Sequence, residues 1–338
     1  MVTMRQIAKR AGVSIGTVSH VVNGTARVRE PLRRRVEVAI EQLGYQPSVL
    51  ARSLRRNQSP MLGVVIPDIT NPFFPAVVRG IEDVAYAHST QLVLCNADND
   101  HRKERAYLDQ LRSIRVAGMI VIPSAASELP AFAAQLRDAV PLVCLDRPLA
   151  DWTGDYIGVD NEGGAFLITR HLVQLGHRRL AMISGPLTIR NAQERLAGFK
   201  RALQAAALPE PAVELAGFDR PSGLEAARRL VQLTPRPDAI FAANDLLAVG
   251  ALAALRELGL RCPEDVAVAG FDDLELAAFT HPPLTTVAQP GYDLGRCAAE
   301  ALFNRLQHPE SPARIVMLET ALKVRSSCGA ALAVAPGV

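Results

Sequence analysis

From Met61 onward the chain repeats one pattern: a short apolar run, a stretch with apolar residues at helical spacing, then another apolar run. Residues 62–66, 91–95, 118–122 and 141–145 read as strands. A helix between the first two carries Phe74, Val77, Val78, Ile81, Val84 and Ala85 on one face. The pattern restarts after Asp160-Asn161-Glu162, with strands at 180–184, 239–243 and 266–269 and helices at 162–175, 193–206, 222–233 and 246–258. Strands that alternate with helices build parallel sheets covered on both faces. Two such runs predict an α/β core of two similar lobes, each a doubly wound parallel sheet.

Doubly wound sheets bind ligands beyond the carboxyl ends of their strands. Two facing lobes put those ends around one cleft, which closes on its ligand by a hinge motion. The polar residues expected there are Asn71 after the first strand, Asp146 and Arg147 after the fourth, and Asn244 and Asp272 in the second lobe. Gln289 lies in a late crossing segment and Arg195 at a helix start. Asp146 and Asp272 accept hydroxyl protons, while Arg147, Arg195, Asn71, Asn244 and Gln289 donate or do both. Phe73, Phe74 and Phe218 offer rings to an apolar C–H face. Singly, such Asp and Asn residues are turn formers; together with the arginines and rings they suit a small free sugar.

Charge sets the first 60 residues apart. They hold eleven Lys/Arg against three Glu, a net +8, whereas the whole chain is +3, which leaves −5 for the rest. A basic head on an acidic body points to nucleic acid. In the head, Thr3 and Gln6 form a capping box ahead of Ile7, Ala8 and Ala11. Gly12-Val13 makes a turn, and Ser14 caps a second helix that turns Val18, Val21 and Val22 inward before Asn23-Gly24 stops it. A third helix spans 30–43, with Leu32, Val36, Ala39, Ile40 and Leu43 on one stripe and Gly44 at its end. This is a helix-turn-helix unit, whose second helix enters the major groove N-terminus first. It presents Ile15, Gly16, Thr17 and, one turn on, His20. Thr17 and Ser19 donate to phosphates, His20 reaches a base edge and Ile15 meets a thymine methyl. Ser48 could cap six or seven further helical residues, too few to persist alone in water. The segment is either a basic linker or a helix that orders only against a partner, with Leu54 as a minor-groove wedge.

Other classes are excluded. No apolar run approaches the roughly 20 residues of a membrane helix, and the N-terminus has no hydrophobic signal core, so a cytoplasmic protein is expected. Cys95, Cys144, Cys262, Cys297 and Cys328 form no CxxC pair and no Cys/His metal spacing; they read as reduced thiols, with no metal and no cofactor. The chain lacks a GxGxxG turn, a P-loop and a GxSxG elbow, and its seven histidines show no ligand spacing and none adjoins a plausible nucleophile. Asp272 and Asp273 imitate a catalytic pair, but neighbours in sequence project apart. An enzyme is not expected.

Arg5-Gln6-Ile7-Ala8-Lys9-Arg10-Ala11-Gly12-Val13-Ser14, Thr17-Val18-Ser19-His20-Val21-Val22-Asn23, Leu43-Gly44-Tyr45, Pro47 and Ala51-Arg52-Ser53-Leu54 resemble the LacI/GalR family of bacterial transcription regulators. Residues 61–325 resemble that family's periplasmic sugar-binding-protein-like core. The resemblance is carried by Asn71-Pro72-Phe73-Phe74, Leu145-Asp146-Arg147, Arg195 with Gly198-Phe199, Asn244-Asp245, Gly270-Phe271-Asp272 and Pro283-Leu284-Thr285-Thr286-Val287-Ala288-Gln289-Pro290. It implies a homodimeric repressor on a palindromic operator, with DNA contacts from Thr3, Ser14, Ile15, Gly16, Thr17, Ser19, His20, Asn23, Arg52 and an intercalating Leu54. It implies a head over 1–46, a hinge over 47–60, one lobe from 61–159 with 291–319 and the other from 160–290 with 320–338. The chain then crosses between lobes near 159–161, 288–291 and 318–320. The cleft pattern resembles ribose-binding and ribose-sensing members. Phe218 matches an aromatic that stacks on ligand in purine-type members, but Arg147 stands where those have tryptophan. A purine, a phosphorylated metabolite or a partner protein stays open as corepressor, although two carboxylates repel phosphate. Arg29 departs from the Ser or Thr expected to cap the third helix. The tail lacks leucine heptads; a dimer follows, with the faces over 77–84 and 247–258 as interface candidates.

Overall fold

The computed structural model describes residues 2–23, 26–45, 59–124, 129–136, 140–149 and 151–330. Two compact units emerge, Met1–Pro60 with Ile114–Ala117, and the remainder. In the first, α1 (Met4–Ala11), α2 (Ile15–Asn23) and α3 (Glu30–Leu43) enclose Ile7, Ala8, Ala11, Val18, Val36 and Ala39. The capping box is present, with the Gln6 amide donating to Thr3 and the Thr3 amide to Gln6 Oε1. Gly12 ends α1 at φ +63°, where a Cβ is unfavourable. Arg29 makes no side-chain cap on α3, as its chemistry dictates; a proline in the first turn pre-sets the backbone instead.

The second unit holds two six-stranded sheets, except for the first two residues of two of their strands, 59–60 and 116–117. Sheet one runs in the order β11 (Ile315–Leu318), β5 (Asp155–Val159), β4 (Leu142–Leu145), β3 (Val116–Val121), β1 (Ser59–Ile66), β2 (Gln91–Asn96). Sheet two runs β12 (Ala321–Lys323), β10 (Thr285–Ala288), β9 (Ala267–Asp272), β8 (Ala239–Ala242), β6 (Leu180–Ser184), β7 (Ala212–Leu215). Apart from the antiparallel β10–β12 pair, the registered pairs are parallel. Helices α4 (Phe73–Ala87), α5 (His101–Ser113), α6 (Leu129–Leu136) and α11 (Gly291–Gln307) accompany sheet one; α7 (Asn161–Gln174), α8 (Arg190–Ala205), α9 (Arg220–Leu230) and α10 (Asp245–Glu257) accompany sheet two. The chain passes between the sheets after β5, after β10 and after β11.

Burial follows from this layering. β6, β8 and β9 are buried along their whole length, the expected state of strands covered on both faces. Phe241 of β8 and Phe271 of β9 join Ile168, Leu172 and Phe199 of the covering helices in one core, each worth about 1.5–3 kcal/mol once removed from water.

Two expectations are corrected. α8 begins at Arg190, so Arg195 lies in its second turn and not at its start; Ile189 before it supplies no side-chain cap and so no sequence signal. β5, β7, β10, β11 and β12 are strands that the apolar pattern did not single out. They are three to five residues long, and β11 leaves Ile315 and Met317 exposed at a sheet edge.

Candidate functional site

In the head, Ser14 precedes α2 and its Oγ accepts the Thr17 amide at 3.0 Å while sharing a 2.9 Å hydrogen bond with the Thr17 hydroxyl. Ser14 therefore caps α2 as expected, and it engages the hydroxyl of Thr17, one of the two expected phosphate donors. Ile15 is 47% exposed; Gly16 and His20 are exposed, and Thr17 and Ser19 are half-buried. Thr3 is exposed but committed to Gln6. Asn23 closes α2, its side chain outside the described residues, as are Arg52, Leu54 and the hinge segment through residue 58.

The core brings all ten expected effector residues to one cavity: Asn71, Phe73, Phe74, Asp146, Arg147, Arg195, Phe218, Asn244, Asp272 and Gln289. Asp68, Asn99, Ile189 and Asn191 complete the wall. The cavity measures about 40 Å³, several times the roughly 10–15 Å³ that one water needs. Asn71, Asp146, Asn244, Asp272 and Gln289 arrive from strand ends and the loops after them, whereas Asn191 and Arg195 reach the cavity from α8. The Asn71 side chain accepts the Phe73 amide at 3.0 Å and so sets the start of α4, where the two phenyl rings meet edge to face at 5.4 Å. Asp146 follows β4 with a left-handed φ of +64°. Asn244 caps α10 by accepting the Leu247 amide, and its Nδ2 donates to the Phe218 carbonyl at 3.3 Å.

The charged groups balance in pairs. Arg195 donates to Asn161 and the Ala243 carbonyl, stands 3.6 Å from Asp272 and lies 3.9 Å over the Phe271 ring. Arg147 donates to Asn99 and the Pro123 carbonyl at 2.9 Å each, so Nη1 is already engaged, and its guanidinium lies 5.8 Å over Phe74. Asp272 accepts Gln289 Nε2 at 2.6 Å and Asp146 accepts Asn191 Nδ2 at 3.2 Å. Burial pushes the Asp272 carboxyl up to about 7 against the pull of Arg195 and Gln289. Burial likewise raises Asp146, opposed by Arg147 and Arg195. Burial lowers Arg147 to about 10 and moves Arg195 down as well, against the nearby carboxylates. Gln289 Oε1 and Asn191 Oδ1 are buried acceptors with no partner among the described residues. Buried acceptors are ordinarily paired; a ligand rich in O–H donors satisfies both.

Asn191 carried no sequence signal, because α8 begins three residues before the apolar periodicity does. Among the described residues no group of three or more His, Cys, Asp or Glu could hold a metal, and no helix is long and apolar enough to cross a membrane.

A helix-turn-helix head and a two-sheet core in one chain define a class: a DNA-binding regulator built on a periplasmic-binding-type domain. Residues 3–48 match the family described as bacterial regulatory proteins, lacI family, and residues 169–328 match the periplasmic binding protein-like domain. The chain is 39% identical over 329 residues to the ribose operon repressor of Escherichia coli, covering 97% of this chain and 100% of that one. It is 35% identical to the transcriptional repressor PurR of Aliivibrio salmonicida, covering 97% and 99%. The lac repressor dimer bound to operator and an anti-inducer aligns with a TM-score of 0.87 at 30% identity, covering 97% and 99%. The chain therefore belongs to the LacI family of bacterial regulatory proteins. It is a transcriptional repressor and not an enzyme.

Proposed function

We propose that this repressor acts as a homodimer on a palindromic operator and senses a small free sugar, ribose or a related pentose, in the core cleft. The observation that carries the reading is the wall of the cavity. Two buried carboxylates, two buried guanidinium groups and two unpartnered buried amide oxygens line it beside three phenyl rings. A pentose offers hydroxyls that give and take hydrogen bonds and a C–H face for the rings. The ribose operon repressor relative supports the choice of sugar, and the operator-bound dimer supports the assembly.

The heads then meet DNA through Thr3, Ser14, Ile15, Gly16, Thr17, Ser19, His20, Asn23 and Arg52, with Thr17 and Ser19 donating to phosphates, His20 reaching a base edge and Ile15 a thymine methyl. Leu54 of the hinge wedges the central minor groove. The lobes divide as 61–159 with 291–319 and 160–290 with 320–338, following the strands of the two sheets. Ligand shifts the repressor between DNA-competent and released states only as far as its affinity differs between them.

A purine is the second reading, favoured by the PurR relative and by Phe218 in the cavity wall. Calorimetric titration of the full chain with ribose, other pentoses, hexoses, guanine and hypoxanthine separates the two. Tight ribose binding that Asp272→Ala abolishes is the expected result; hypoxanthine or guanine binding in its place transfers the assignment to a purine corepressor.

A further inference from the structure

Asp245 is fully buried, makes no ion pair among the described residues, and does not line the cavity. A helix start does not explain it, since Asn244 already caps α10. Burying a carboxylate without a cation in contact is costly, so its two acceptor oxygens need a purpose. Oδ2 accepts the Leu274 amide at 2.8 Å and Oδ1 accepts the Thr286 hydroxyl at 2.6 Å. Thr286 Oγ1 in turn accepts the Asp273 amide at 3.4 Å. The two amides that follow Asp272 thus end on one carboxylate, the first through a hydroxyl and the second directly.

That segment needs holding. Asp272 has φ +116° and Asp273 φ +54°, a region L-residues rarely adopt. Gly270 lets the carboxylate approach: a Cβ there would meet Asp245 Oδ1 at 2.2 Å. We propose that Asp245 is the positioning residue that, with Thr286 as its relay, holds Asp272 in the orientation by which the cleft accepts a sugar hydroxyl. The inference deepens the sugar-sensing reading and rests on it.

Two measurements on the full chain test it: calorimetric titration with D-ribose, and amide hydrogen exchange without ligand. Asp245→Asn should weaken ribose about tenfold and Thr286→Val about threefold, with operator affinity in the absence of sugar within twofold of the parent. In an Asp272→Asn background, Asp245→Asn should add less than twofold, whereas a general loss of core stability would add its full factor and overturn the proposal. Leu274 should exchange faster in Asp245→Asn and Asp273 faster in Thr286→Val. Fast Leu274 exchange with unchanged ribose affinity rejects the positioning role. If Asp245→Asn does not fold, Thr286→Val carries the same comparison. If the parent protein ignores ribose, the sugar reading fails; exchange then decides alone, with faster Leu274 exchange upholding the clamp and unchanged exchange overturning it.

Discussion

The head and the cleft recognise by opposite means. The head turns Ile15, Gly16 and His20 outward from a small apolar core, so its chemistry is a surface. The cleft turns Asp146, Arg147, Arg195, Asp272 and Gln289 inward, each at most 7% exposed. A polymer has to be met from outside, and its phosphates are attracted by mobile, hydrated cations. A compact polar ligand is met inside, where low dielectric strengthens each hydrogen bond and makes each unfilled one costly. The two sites should therefore fail under different perturbations.

The widest separation is expected from salt. Between 50 and 200 mM salt, operator affinity should fall about 10³-fold or more, the usual loss for six or more phosphate contacts, while ribose affinity changes less than twofold; a flat operator response would break the contrast. Asp272→Ala should lower ribose affinity by about 100-fold or more, the scale of about 3 kcal/mol for a lost charged hydrogen bond, with operator binding in the absence of sugar intact. A normal sugar response in that variant removes Asp272 from the cleft assignment. Leu54→Ala should do the reverse, weakening operator binding about tenfold through the lost wedge and leaving calorimetric sugar binding as it was.

The effect of pH comes next. The Asp272 carboxyl titrates near 7 in the folded chain, above its ordinary 3.8. The native state thus keeps a proton that the unfolded chain releases from about pH 4 upward, and this group's contribution to stability declines as pH rises through 7. A sugar hydroxyl needs the ionised acceptor, so ribose affinity should fall about tenfold from pH 8 to pH 6. Asp272→Asn should flatten that slope; an unchanged slope assigns the titration to another group. The smallest change is Ser14→Ala, which removes the cap of α2 and should lower the head's melting free energy by about 1 kcal/mol, followed by circular dichroism.

Legibility in the sequence also differed between the two regions. In the head, short-range rules sufficed: Thr3 with Gln6, Gly12, Ser14 and Gly44 each act within a turn of where they stand, and α3 spans Glu30–Leu43 as its periodicity predicts. In the core, strands covered on both faces announced themselves as apolar runs, and seven of the ten expected cavity residues lie at strand ends and loops that the alternation predicts, while Phe73 and Phe74 sit in the first turn of α4 and Arg195 in the second turn of α8. What stayed hidden depended on distant partners. Asn99 looks like one more turn former in Asn96-Ala97-Asp98-Asn99-Asp100 until it meets Arg147, 48 positions away. Asp245 reads as a helix-start acid until the Leu274 amide and the Thr286 hydroxyl reach it. Edge strands such as β11 and β12 have little apolar surface to hide, and so little pattern to read.

The late position of β11 and β12 has a consequence for biosynthesis. Sheet one lacks its β5 neighbour until residues 315–318 are made, and sheet two lacks the strand beside β10 until 321–323. During translation, therefore, neither half of the core is finished before the other, and both gain their last strand between residues 315 and 323. A premature stop just upstream of residue 315 would strip an edge from each sheet at once. Such a product keeps every residue that lines the cavity, all of them before residue 290, and the entire head, but on two sheets that each lack an edge strand.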